Sequence, residues 1–141
     1  MTQQTILRVV SKILVPFILL FALYVQFHGD YGPGGGFQAG VIFSAGFILY
    51  SLVFGLSAGR NAARPGLVER LAAIGVLIYA GTGVATMLLG GRFLEYGALN
   101  HHDPIDGQHL GLLLIELGVG TTVAATMITI FFAFAGRERS R

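Results

Sequence analysis

The chain has 141 residues, of which 54% are hydrophobic and only 11% charged, with a mean hydropathy of +0.73; soluble domains carry about 25% charged residues, which excludes a water-soluble fold. Its 21 glycines come with no Cys and no Trp, which removes a disulfide framework, thiolate metal sites and a CxxC redox pair. The net charge of +2 and pI near 9.3 do not point to nucleic acid, because nearly all the cations stand at the ends of apolar runs, where they read as membrane orientation.

A helix needs about 20 apolar residues to cross a bilayer. Four runs reach that length and predict spans at 6–27, 37–56, 66–90 and 110–136, within one membrane domain covering 1–141. In the first, Arg8 and Lys12 can snorkel from the opening turns, and Pro16 lies near enough to the start for neighbouring groups to tolerate it. No small-residue A-x-A site follows, and His28-Gly29-Asp30-Tyr31-Gly32-Pro33 is a turn, so the segment is expected to be retained and not cleaved as a signal peptide. The second run carries no charge. The third starts near Pro65, suited to a first helical position, with Glu69 and Arg70 at its polar end and an uncharged stretch from Leu71 to Leu89. The fourth, from Leu110 to Gly136, is long enough to require tilt and holds Glu116, the one acidic residue of any span that lies away from the span's ends. All-round apolarity without strand alternation gives an all-α integral membrane fold of four transmembrane helices and favours helices over a β-barrel. There is no internal repeat.

Of the nine Lys and Arg residues, Arg8 and Lys12 precede the first helix. Arg60, Arg64 and Arg70 join the second to the third, and Arg137, Arg139 and Arg141 follow the fourth; Arg92 alone lies opposite. By the positive-inside rule both termini and the second connection are cytoplasmic, and the glycine-rich turn and the longer third connection face outward.

The turn passes through Pro33-Gly34-Gly35-Gly36-Phe37 directly into a membrane helix. Consecutive glycines permit positive φ and close backbone approach, and Pro33 restricts the reversal. Gly36, Gly40 and Ser44 then recur every fourth residue, a small-xxx-small face suited to close helix packing in lipid. A phosphate-cradling loop is the weaker reading, since no GK[ST] follows, no strand precedes and the loop would face outside the cell. His101, His102, Asp103, Asp106 and His109 gather candidate metal ligands in the outer connection. Asp103-Pro104 and Asp106-Gly107 are turn and cap signals, with Asp106 placed to cap the fourth helix, and no pair has a zinc spacing. No metal or cofactor is therefore expected. Arg92 and Glu95 are spaced to pair across one helical turn.

Glu116 lies deep enough to be costly if ionised against lipid, so it requires a partner, a water path or a changed affinity for its proton. Gly120, Ala124 and Met127 continue its face with mostly small residues. Two roles follow: a carboxylate that fixes an interface with a partner protein, or one that takes part in moving protons or cations.

Pro33, Gly34, Gly35, Gly36, Phe37 and Gly40 resemble the signature of the MnhB/MrpB-like family, small membrane subunits of the multisubunit Mrp-type sodium/proton antiporters. In that signature a helix, a short polar turn, Pro-Gly-Gly-Gly-Phe, one or two residues and a Gly open the next helix. The resemblance extends over nearly the whole chain, since members share its length, its four spans and an acidic residue early in the last span. Glu116 in Ile115-Glu116-Leu117-Gly118-Val119 occupies that place, where many relatives carry Asp. The resemblance implies a small accessory subunit of a bacterial inner-membrane complex, with other antiporter subunits as partners and Na+ and H+ moving through the whole assembly. It also leaves a complex I-related membrane hydrogenase as an alternative host. A homo-oligomeric transporter built around Glu116 alone is a further alternative. A membrane enzyme is disfavoured, because no Ser/His, paired-carboxylate or zinc motif faces a common cavity in any helical reading.

Overall fold

The computed structural model describes residues 2–100 and 102–137. His101 of the candidate metal-ligand cluster and Arg139 and Arg141 of the C-terminal cations lie outside them. Among the described residues the fold is all helix: α1 (Thr2–His28), α2 (Gly36–Phe54), a short α3 (Leu56–Ala62), α4 (Pro65–Leu88), a 3₁₀ turn at Tyr96–Leu99 and α5 (Pro104–Arg137). Four of these, α1, α2, α4 and α5, are long and apolar enough to cross a membrane.

Local chemistry sets most helix ends. Gly35 (φ 122°) and Gly55 (φ 100°) bracket α2 with positive backbone angles that a Cβ would strain. The connection after α2 holds α3, which folds back so that Gly59 rests on the Ser51 side chain. Pro65 is the first residue of α4, as its fixed φ and missing N–H favour. Beyond α4 the Thr86 hydroxyl ties the reversal together. It accepts from the Leu94 N–H at 3.0 Å and lies 2.8 Å from the Gly83 carbonyl and 3.0 Å from that of Arg92, holding Leu94 at a φ of 63°. Arg92 and Glu95 meet through the backbone: the Arg92 N–H donates to Glu95 Oε2 at 2.7 Å.

The N-terminus of α5 corrects one expectation. The helix starts at Pro104 and its cap is Asp103, whose Oδ1 accepts from the Ile105 N–H at 3.0 Å; Asp106 sits inside the first turn. Proline at the first helical position already lacks an N–H, so the residue before it becomes the natural cap.

The spans form an open layer. α1 lies against α2, α2 against α5 and α5 against α4, with α1 and α4 at opposite ends. Lipid provides no hydrophobic drive between helices, so small residues make the joints. At α2–α5, a Cβ on Gly40 would lie 2.7 Å from the Gly120 carbonyl; at α4–α5, one on Gly75 would lie 2.6 Å from that of Gly118. Val68, Ala125, Ile128 and Phe132 supply a small core, with Phe47 edge-on to Phe132. Ser44, Ser51 and Thr82 turn their hydroxyls onto their own helix carbonyls at 2.8–3.1 Å, leaving no orphan donor there.

Candidate functional site at the glycine turn

The reversal between α1 and α2 is built from backbone. The N–H groups of Tyr31 and Gly32 donate to the His28 carbonyl at 3.0 and 3.2 Å. That of Gly35 reaches back to Val25 at 3.3 Å, pulling the glycine run onto the end of α1. Gly34 then faces the Val25 carbonyl, where a Cβ would sit at 2.9 Å. Pro33 is exposed on the outside of the turn, and Phe37, 63% exposed, points away from the chain.

Directly against this turn runs the N-terminal half of α5. Gly36 abuts the backbone of Glu116 so closely that an added Cβ would overlap the Glu116 carbonyl. The Glu116 carboxylate fits under the glycines: a Cβ on Gly29 would lie 2.5 Å from Oε1 and 2.8 Å from Oε2, and one on Gly35 3.2 Å from Oε1. The two landmarks of the sequence, the glycine turn and the intramembrane acid, are thus one site. The side chain is half-buried and makes no hydrogen bond or ion pair among the described residues. Gly36, Gly40 and Ser44 are all buried, the two glycines against α5, so this seam is internal to the chain.

Toward the N-terminus of α5 from Glu116, Asp30, the residue after Gly29, pairs through Oδ2 with His109 Nδ1 two helical turns away; Tyr31 stacks on the same ring at 6.5 Å. Asp30, His109, Gln108, Leu112 and Tyr96 line a cavity of about 420 Å³. Tyr96 packs onto Gly107 and Gly111 of α5, and burial, with Tyr79 nearby, raises its phenol above the ordinary value. The phenol therefore stays protonated and adds no charge to this mouth. His102, Asp103 and Asp106 are exposed. Among the described residues no three His, Cys, Asp or Glu side chains gather as a metal ion would require.

Toward the C-terminus of α5 from Glu116 is a residue that the sequence pattern does not single out. Gln26, one turn below Gly29 on α1, is only 6% exposed, and its Nε2 is buried without a hydrogen-bond partner. Its Oε1 lies over Gly120, one turn on from Glu116, where a Cβ would come within 2.5 Å. A lone amide in an otherwise apolar run is the available signal. Its value depends on knowing that Gly120 leaves room for it.

Residues 6–129 match the family described as a domain related to the MnhB subunit of Na+/H+ antiporters. The chain is 37% identical over 136 residues, 95% of its length and 96% of the relative's, to a Staphylococcus haemolyticus (strain JCSC1435) protein, by name antiporter subunit mnhB2. Proteins of the same name from Staphylococcus epidermidis (strain RP62A) and Staphylococcus aureus (strain Newman) are 36% and 35% identical over the same shares of both chains.

Proposed function

The chain belongs to the family of domains related to the MnhB subunit of Na+/H+ antiporters, and on that premise we propose that it is a small accessory membrane subunit of a multisubunit Mrp-type sodium/proton antiporter. It contributes Glu116 as a titrating carboxylate to the ion path of the whole complex. The observation that carries the role of Glu116 is its setting. A carboxylate within a span, held under a glycine turn and without a hydrogen-bond or ion-pair partner among the described residues, is free to exchange a proton or meet a cation. Pro33 to Gly36, Gly40 and Ser44 have the structural part, shaping the turn and letting α2 lie against α5. The relatives carry the names of antiporter subunits, which favours an antiporter over a hydrogenase as the host. A single intramembrane acid is too little for a complete relay, so the partner subunits supply the remainder of the path and the chain has no transport or enzymatic activity by itself.

The site faces outward. The eight-to-one distribution of Lys and Arg supports cytoplasmic termini in a bacterial inner membrane. The chain is free of cysteine, so single cysteines at Asp30 and Asn100 will react with an impermeant thiol reagent added outside, and one at Asn61 will not. The reverse pattern would overturn the orientation.

Deleting the chain abolishes sodium-dependent proton movement in everted vesicles that retain the other subunits, and proteoliposomes holding the chain alone show none. Activity in those proteoliposomes would overturn the accessory reading, as would undiminished antiport in the deletion strain.

A further inference from the structure

The open layer of helices leaves a groove of about 530 Å³ between α1 and α4, floored by α2 and α5. Along α5 it runs from Leu117 to Ile128, about 17 Å at 1.5 Å per residue, or three helical turns. Small residues make much of its floor, Ala39 and Gly40 of α2 and Gly120, Ala124 and Ala125 of α5, with Phe43 and Phe47 of α2 standing beside them. Leu23 and Leu71 stand as opposite walls, and Gln26 closes the head. The amide there has its Oε1 over Gly120 and its Nε2 with no partner.

Two occupants compete for a groove at this depth. An acyl tail would fill the apolar volume but brings no hydrogen-bond acceptor, and an unmet amide N–H in hydrocarbon costs several kcal/mol by the general rule for membrane interiors. A helix meets both requirements. Small floor residues allow its backbone to come close, and a side-chain oxygen on it satisfies Gln26 after rotation of the amide about its last bond. We propose that the groove seats one transmembrane helix of another antiporter subunit, and that this helix presents a carboxylate, amide or hydroxyl oxygen to Gln26, one turn below Glu116. The proposal rests on the accessory-subunit reading and adds the face, the kind of partner and the polar contact that sets its depth.

The test is site-specific photo-crosslinking in membranes containing the full complex, with benzoylphenylalanine in place of Leu23, of Leu71 and, as a control away from the groove, of Leu77. Both wall probes will join the same partner helix, at a segment bearing a side-chain oxygen, and the Leu77 probe will not. Gln26→Leu will lower the wall-probe yield roughly tenfold, as expected for loss of one buried interhelical hydrogen bond, with the chain's abundance in the membrane unchanged; Gln26→Asn will restore part of it. Adducts with lipid alone, or with a second copy of this chain, would overturn the proposal, as would an unchanged yield in the Leu variant. If the chain copurifies with antiporter subunits while the wall probes take only lipid, the groove assignment falls and the accessory reading stands. If it copurifies with none, both fall.

Discussion

Gly36→Leu will empty the membrane of this protein and, with it, of antiport. The added Cβ would overlap the Glu116 carbonyl and approach its Cα at 2.9 Å, and both are backbone atoms that no rotamer change can move aside. Nor can α2 retreat as a body. One turn later Gly40 is held against the Gly120 carbonyl and Val123, and behind it Gly46 meets Ile18 of α1. Overpacking costs about 1–3 kcal/mol where side chains can yield, and two rigid helices in contact raise that to a large share of a marginal stability. The damage falls first on this chain's own fold, because the seam joins α2 to α5 within it, and the complex is lost as a consequence. Gly66→Ala and Gly81→Ala provide the contrast. Nothing lies within 4 Å of a Cβ at either position, and alanine in a helix gains up to about 1 kcal/mol over glycine. Immunoblots of washed membranes will show the two alanine variants at normal abundance and the leucine variant nearly absent; normal abundance of Gly36→Leu would remove the seam from the account.

Much of this is legible in the sequence, and unevenly so. Span number and the all-helical class follow from hydropathy, because a bilayer tolerates so few backbone arrangements. The start of α4 is legible because Pro65 fixes it chemically. The cap of α5 is not, and Asp106 is the wrong choice for it: two Asp residues stand near Pro104, and apolar periodicity begins late, at Leu110, so the polar first turns of α5 resemble a loop. α3 is hidden for a similar reason. Its seven residues, Leu56–Ala62, are too few to show a periodic pattern, and it is held by contact of Gly59 with Ser51.

The site divides in the same way. Glu116 announces itself as an isolated charge, and the glycine run as a turn, but no local signal says that the two meet. Their contact depends on α5 lying against α2 through Gly36, a tertiary fact between residues about 80 positions apart in sequence. The pairing of His109 with Asp30 is equally non-local; by sequence alone His109 belongs with His102 and Asp103, from which the start of α5 separates it. Gln26 escapes notice because an amide carries no charge and breaks no hydropathy window, and only its burial without a partner gives it weight.

The role given to Glu116 is tested most directly by the pH profile of sodium-dependent antiport in everted vesicles carrying Glu116→Gln beside Glu116→Asp. Glutamine keeps the volume and polarity under Gly29 and Gly35 but holds no titrating proton, so the complex will assemble and copurify normally. Aspartate keeps the carboxylate on a stem one carbon shorter. If the carboxylate handles protons or cations, antiport by the Gln variant falls most of the way to the level of the deletion at every pH, while the Asp variant retains a substantial rate with its own pH dependence. A normal rate and an unshifted profile for Glu116→Gln would contradict the assignment and leave Glu116 a packing residue under the turn.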